Sequence, residues 1–99
     1  MLTFTPHNHD YLGFIPDMLS EADPRPAREQ LDTGYAHGGG WRPFPGFELR
    51  PDNSLKYPGD PAMKPVASAQ LRDELILVYP YAWVAIIQPD RVFEICRMD

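Results

Sequence analysis

The residues best suited to binding a metal ion are three histidines and an aspartate: His7, His9, Asp10 and His37. Alternate residues of a strand share a face, so in an extended segment His7 and His9 point the same way. They are therefore candidate ligands of one ion, with Asp10 or His37 completing the set. A structural zinc site usually has four ligands, however, and the chain has no second cysteine to help. The pattern favours solvent-facing polar residues or turn caps near a terminus, and no cofactor is expected.

A run of glycines, flanked by His37 and Arg42, consists of Gly38, Gly39 and Gly40. Successive backbone N–H groups in such a run can form a concave nest that binds an anion. This run follows a predicted helix, whereas the glycine-rich phosphate loops of nucleotide-binding proteins open one. The pattern therefore favours a helix stop with a left-handed glycine beyond its end. A close crossing there would let the chain turn into Trp41.

The stretch WRPFPGF places three aromatic side chains, Trp41, Phe44 and Phe47, among prolines that hold the chain extended. If these rings are buried, they pack the N-terminal half against the rest of the protein. Each would then contribute about 1.5–3 kcal/mol to the free energy of unfolding. If they are exposed together with Arg42, they form a patch of the kind that anchors a protein partner. Burial is the favoured reading because a chain this short has little other core.

No catalytic constellation is recognisable. Cys96 is the only cysteine, and its strand neighbour Glu94 would raise the pKa of the thiol and so would not activate it. Asp73 and Glu74 are adjacent on a predicted helix and diverge, so with Arg72 they are read as a solvated face. The serine-hydrolase, zinc-protease and deaminase motifs are absent from the sequence. A buried, unreactive cysteine is expected.

The N-terminal part, residues 1–40, is predicted as a layer of short helices and loops. Pro16 suits the start of one short helix, and Pro26 suits the start of a second, which ends before Gly38. Residues 41–99 are then predicted as a ββαββ sheet unit within the same single domain. Its first hairpin spans residues 47–57, with Pro51 and Asn53 in the turn.

The longest helix is predicted over residues 66–78, because Ala67, Leu71, Leu75 and Val78 form one stripe. A second hairpin follows over residues 83–97, with the turn QPDR. The expected fold class is α+β: two short N-terminal helices, then hairpin–helix–hairpin, giving a four-stranded, mainly antiparallel sheet with helices on one face. If residues 92–97 form an edge strand, we expect a homodimer or an added partner strand there.

Composition narrows the function classes. The 99 residues carry a net charge of −5 and nine basic side chains, which argues against broad binding to nucleic acid or anionic membranes. No secretory signal is recognisable, and the longest apolar stretch, LILVYPYAWVAII, is interrupted by Pro80 and too short to span a bilayer. With its single cysteine, the chain is expected to be cytoplasmic, and its size and composition suggest a bacterial origin.

Three function hypotheses remain. The first is a small non-enzymatic accessory protein that binds another protein or a second copy of itself, using Trp41, Arg42, Phe44 and Phe47. The second is a metal- or anion-dependent enzyme built on the four metal-ligand candidates. The third is a nucleic-acid-associated module, which requires five basic residues to gather on one face in spite of the negative charge. These residues are Arg42, Arg50, Lys56, Arg91 and Arg97.

Overall fold

A computed structural model describes residues 2–7, 15–33 and 40–98 of the chain. Most of the described chain is β-structure. One antiparallel sheet has six strands in the order β1-β5-β6-β7-β8-β2, and a separate two-stranded sheet pairs β3 with β4. The strands are β1 (Thr5–Pro6), β2 (Trp41–Pro43), β3 (Glu48–Leu49), β4 (Leu55–Lys56), β5 (Ala67–Leu71), β6 (Glu74–Val78), β7 (Val84–Ile87) and β8 (Phe93–Met98).

The predicted helix over residues 66–78 is wrong, because this segment forms the β5–β6 hairpin. Leu71 pairs with Glu74 across a two-residue turn, and Arg72 in that turn has a left-handed φ of 54°. The arginine side chain donates hydrogen bonds to the backbone carbonyls of Asp23 and Arg25 at 3.0 and 2.6 Å. These contacts offset the strain of a non-glycine residue in that conformation. The expected α+β class with a four-stranded sheet is therefore replaced by a mostly β fold.

The N-terminal layer contains one helix, α1 (Ala27–Thr33), within the described residues. The first predicted helix is wrong: around Pro16 the chain makes a single turn closed by the Leu19 amide. The start of the second is confirmed, since α1 begins directly after Pro26. This layer covers one face of the sheet, where a hydrophobic cluster includes Leu19, Leu31, Trp41, Leu71, Ile76, Val78, Val84 and Cys96.

Glu74 and Gln30 hold this layer in place. The Glu74 side chain is only 5% exposed; it accepts a hydrogen bond from the Ala27 amide at 2.9 Å and another from the Gln88 side chain at 2.8 Å. The expectation that Glu74 lies on a solvated helix face is therefore wrong. Gln30 is also buried, and its amide exchanges hydrogen bonds with the backbone of Ser20 in both directions. Buried polar groups of this kind fix one loop geometry because each must be satisfied.

The segment that includes β3 and β4 covers the opposite face of the sheet. The predicted hairpin over residues 47–57 is confirmed there, and Asn53 has the left-handed φ expected of it, 68°. Beneath it lies a second hydrophobic cluster built on Leu55, Leu77, Tyr79, Ala85, Ile87 and Ile95. Because both faces of the sheet are covered, all four residues of β7 are buried.

The predicted hairpin over residues 83–97 is also confirmed, as β7 and β8, but β8 is not an edge strand. It pairs with β7 on one side and with β2 on the other, so the condition for strand-mediated dimerisation at residues 92–97 is not met. The two edges of the six-stranded sheet are β1 and β2. No helix among the described residues is long and apolar enough to cross a membrane.

Both edge strands carry a proline at a position that faces away from the sheet. The amides of His7 and Phe44 donate 2.8 Å hydrogen bonds into the sheet, to Val66 and Ile95 respectively. In an antiparallel ladder the backbone groups of the neighbouring residues face outward, so the nitrogens of Pro6 in β1 and Pro43 in β2 lie on the outer sides of the two edge strands. Since proline has no N–H group, each edge lacks a donor for a further strand.

Candidate functional site

The chain around residues 41–47 crosses from one face of the sheet to the other. Trp41 is buried at 3% exposure in the cluster beneath α1, whereas Phe44 and Phe47 are half-buried on the opposite face. The three aromatic residues predicted as one unit therefore divide between two sites. Trp41 packs the N-terminal layer against the sheet, as expected of a buried ring. The binding-patch hypothesis is left with Phe44, Phe47 and the exposed Arg42.

Trp83 organises the aromatic rings on that face, which we call the aromatic cluster (Phe44, Phe47, Tyr57 and Trp83). Its ring centre lies 5.0 Å from that of Phe44 and 4.8 Å from that of Phe47, both in edge-to-face geometry. Phe47 in turn lies 4.9 Å from Tyr57. Such pairs are favourable beyond the area they bury, so these contacts hold the four rings together.

Gly46 makes the return of the chain possible. Its φ of +97° is strained for any residue with a side chain, and a Cβ atom there would lie 3.0 Å from the Tyr57 ring. The turn directs the Phe47 ring onto that of Trp83. The glycine of WRPFPGF therefore shapes the aromatic cluster, a role that the residue pattern alone did not indicate.

An open groove of about 430 Å³ lies between this segment and β8, and we call it the aromatic groove. Its floor is formed by Phe93 and Ile95, which belong to the second hydrophobic cluster. One wall consists of proline and phenylalanine side chains, which make the surface stiff and apolar. The complete lining is Pro43, Phe44, Pro45, Gly46, Phe47, Phe93, Glu94 and Ile95.

Two arginines stack on rings of the aromatic cluster, next in the chain to residues that line the groove. Arg42 and Arg97 are directly opposite each other in the β2–β8 pair, so their side chains share one face. The guanidinium of Arg97 stacks 4.8 Å from the centre of the Trp83 ring, and that of Arg42 stacks 4.9 Å from the Phe44 ring. Both side chains are exposed. Stacking on an aromatic face is a favourable contact for a guanidinium group.

Of the four candidate metal ligands, His9, Asp10 and His37 lie outside the described residues. His7 is exposed, and its Nε2 atom lies 2.8 Å from the Ser68 hydroxyl. Serine and histidine at this distance resemble a nucleophile and its base. No group of three metal-ligating side chains occurs in the described ranges. The His7–Ser68 contact is an exposed hydrogen bond between neighbouring strands.

Of the proposed anion-binding run, Gly38 and Gly39 also lie outside the described residues. Gly40 is described, and a Cβ atom built on it meets no atom of the described residues within 4 Å. The close crossing expected of the whole run stays a prediction, because most of the run lies outside the described residues.

The five basic residues of the nucleic-acid hypothesis do not form one cluster. Arg50 pairs with Glu48 at 3.3 Å, and Arg91 donates to the Arg50 carbonyl at the far end of β8. Six residues of β-strand, about 20 Å, separate that end from Arg97. Lys56 is occupied with the Asp60 carbonyl at 2.7 Å. Arg42 and Arg97 form one pair and Arg50 and Arg91 form another, so the five residues are divided along the length of β8.

Cys96 is fully buried below α1, as expected. Burial raises the pKa of its thiol to about 12, the Arg28 guanidinium opposes that rise, and the Glu94 carboxylate adds to it. The thiolate required of a nucleophile is therefore not formed at neutral pH. Glu94 itself is held by Arg28 at 2.8 Å.

Sequence reasoning did not assign Trp83 or Phe93 to a site, although a signal for Trp83 was present. The predicted QPDR turn fixes the register of the β7–β8 hairpin, in which Val84 pairs with Cys96. One further step along this register places Trp83 opposite Arg97. A cation opposite an aromatic ring across two strands is a recognised stabilising pair.

Comparison of the chain with protein-family models, with curated proteins and with solved structures gave no match.

Proposed function

We propose that this protein is a non-enzymatic binding module that holds a short extended segment of another protein in the aromatic groove. The observation that carries the proposal is an open groove with an apolar floor and an aromatic wall, beside which two arginines stack on aromatic rings. Aromatic and arginine side chains are the residues that dominate protein-binding energetics. The buried lone thiol is compatible with work in a reducing compartment such as the cytoplasm.

The shape of the groove favours a peptide over a small molecule. Pockets for small molecules enclose most of the ligand surface, whereas this groove is open to solvent along the chain segment that forms its wall. Single-stranded nucleic acid is also disfavoured. Bases bind by stacking on exposed ring faces, but the faces of Phe44 and Trp83 carry the guanidinium groups of Arg42 and Arg97.

Recognition would depend on side chains and would not require an added β-strand. Pro43 and Pro45 in the wall have no N–H groups to offer to a peptide backbone. Pro43 also offers no N–H group on the outer side of β2. A partner segment would therefore place one or two apolar side chains on the floor formed by Phe93 and Ile95, and its backbone would stay outside the sheet.

The test uses a display library of short random peptides, selected on the native protein after removal of peptides that bind Pro45→Gln. Pro45 is exposed and lines the groove, so this variant changes the wall without removing buried surface. Enriched peptides should lose about tenfold or more in affinity for Pro45→Gln, corresponding to about 1.4 kcal/mol. They should bind normally to the matched control Pro58→Gln, which changes an exposed proline of another turn.

Tryptophan fluorescence locates the binding event. Trp83 is half-buried beside the groove and Trp41 is buried under α1, so a peptide in the groove should change the emission of the first and not of the second. The change should disappear in Trp83→Phe. If no peptide is enriched, or if the enriched peptides bind Pro45→Gln and the native protein equally well, the proposed function is refuted.

A further inference from the structure

The aromatic groove is too small to hold a folded partner. Eight residues line it, whereas a stable interface between two folded proteins takes about 20–30 residues from each side. The groove alone would therefore hold neither a second copy of this chain nor another globular protein. Its size fits a short segment.

The groove presents apolar side chains to that segment. Among the described residues that line it, only Glu94 has a polar side chain. Phe93 and Ile95 face the second hydrophobic cluster, so Glu94 between them faces the other side of the sheet, where its Oε1 atom accepts a hydrogen bond from Arg28 Nε at 2.8 Å. A ligand N–H group that turns toward the floor would lose water and find no side-chain acceptor there, which opposes binding. A segment with few N–H groups suits this lining.

The cost of ordering falls mainly on the ligand. On the protein side, the Phe44 and Phe47 rings already contact Trp83, at 5.0 and 4.8 Å between ring centres. Ordering one flexible backbone residue of the ligand weakens binding by about fivefold to thirtyfold. Burying one large apolar side chain strengthens it by about tenfold to 150-fold. In the middle of these ranges, two buried side chains do not compensate for about five ordered residues, so the segment has to be ordered before it binds.

We infer that the segment bound in the aromatic groove is rich in proline and forms a polyproline II helix, with one or two large apolar side chains on the floor. This inference rests on the proposed function and specifies its ligand. Proline fixes φ in advance, so less backbone freedom is lost on binding, and it has no N–H group. Grooves lined by aromatic residues are a recurring binding site for such segments.

The geometry of this helix gives the inference a specific test. A polyproline II helix has about three residues per turn and a backbone that stays solvated. Apolar residues three positions apart therefore lie on the same side of it, about 9 Å from each other. Both can face the floor formed by Phe93 and Ile95, whereas residues two positions apart diverge.

Four labelled peptides test the inference by fluorescence anisotropy, each carried on the same serine-glycine flanks. The first is Pro-Leu-Pro-Pro-Leu-Pro, with its leucines three positions apart. The second is Pro-Leu-Pro-Leu-Pro-Pro, which has the same composition but places the leucines two positions apart. The third replaces every proline of the first by alanine, and the fourth replaces both leucines of the first by alanine.

The first peptide should bind most tightly. Each change from proline to alanine weakens binding by about twofold to fivefold through lost preordering, so the third peptide should bind at least about tenfold more weakly. The second should also lose about tenfold, because only one of its leucines can face the floor at a time. The fourth should lose more than the second, because neither apolar side chain remains.

Protein variants assign the binding to the groove. Pro45→Gln should weaken binding of the first peptide by about tenfold, whereas the matched control Pro58→Gln should leave it unchanged. The display selection gives an independent readout, because peptides enriched on the native protein should contain more proline than the unselected library.

The outcomes separate the two proposals. If the first and third peptides bind equally well, if the two leucine spacings give the same affinity, or if the selected peptides are not enriched in proline, the inference is wrong. The peptide-binding function then still stands on any peptide that binds the native protein more tightly than Pro45→Gln. If the fourth peptide binds as tightly as the first, the floor takes no part and both proposals are wrong. Failure of every designed and selected peptide also overturns both.

Discussion

Replacing Glu74 by alanine should destabilise the protein more than any change in its exposed neighbours. The carboxylate accepts two hydrogen bonds, from the amide of the fully buried Ala27 and from the side chain of Gln88. Hydrogen bonds to a charged group contribute about 1.5–3 kcal/mol each. Gln88 is only half-buried and can turn to water, whereas the Ala27 amide would be left without a partner. We therefore expect a loss of about 2–4 kcal/mol.

Urea unfolding followed by circular dichroism measures this loss. With a denaturant dependence of about 2 kcal/mol per molar urea, the midpoint should fall by about 1–2 M. Asp73→Ala is the control, because Asp73 is the exposed neighbour in the same turn and should shift stability by less than about 0.5 kcal/mol. The urea midpoint of Glu74→Gln should lie between those of the two alanine variants. Glutamine keeps an acceptor for the Ala27 amide but places its own amide group against that of Gln88.

A second substitution tests the reason for the effect. Combining Glu74→Gln with Gln88→Glu restores one donor opposite one acceptor, so the double variant should be more stable than Glu74→Gln alone. If Glu74→Ala unfolds at the same urea concentration as Asp73→Ala, or if the exchanged pair gives no recovery, the buried carboxylate does not hold α1 to the β5–β6 hairpin.

Three further outcomes are expected. Ala82→Gly should stabilise the protein by about 1 kcal/mol, because Ala82 has a φ of 64°, and an unchanged or lower urea midpoint would contradict this. Cys96 should react with a thiol reagent only as fast as the protein opens, and rapid labelling of the native state would show that the thiol is accessible. Hydrogen bonds from the Arg25 side chain and amide lower the pKa of Asp23 from 3.8 to about 2. The stability contributed by this carboxylate is therefore present above pH 4 and lost as the pH falls toward 2. In Asp23→Asn the free energy of unfolding should depend less on pH between 4 and 2 than in the native protein. An equal dependence on pH in the two proteins would contradict this.

The turns were more predictable than the elements they join. Asn53 has the left-handed backbone that its side chain tolerates, and QPDR forms the expected reversal between β7 and β8. The β5–β6 turn has no such signal, since an arginine occupies the position where glycine or asparagine is usual. Arg72 keeps that conformation through contacts with the 21–25 loop, which are far away in sequence. Local pattern therefore had no means of revealing the hairpin.

The periodicity of residues 66–78 was ambiguous for a related reason. Ala67 and Leu71 are spaced as on one face of a helix, but with Ala69 between them they also alternate as in a strand. The following strand is buried on both faces, which removes the alternation that normally distinguishes strand from helix. Burial on two sides is a property of the assembled layers. It cannot be read from one segment.

The candidate site was half predicted. The aromatic and arginine residues of WRPFPGF were identified as a binding candidate, and Phe44, Phe47 and Arg42 do lie beside a groove. Trp41 was placed with them, although it packs under α1, because sequence spacing does not show where a chain crosses a sheet edge. Arg97 was considered only as one of the basic residues of the nucleic-acid hypothesis. Its position depends on the β2–β8 pairing, which joins distant parts of the chain.

That pairing also bears on the order in which the chain folds. The meander from β5 to β8 is made of consecutive strands joined by short turns, and closing such loops costs little entropy. Each edge strand, by contrast, comes from the first half of the chain and pairs with a strand from the second. During synthesis, β2 can join the sheet only after β8 has been made, because Trp41 pairs with Met98. The wall of the aromatic groove is therefore assembled late, on a meander that has already formed.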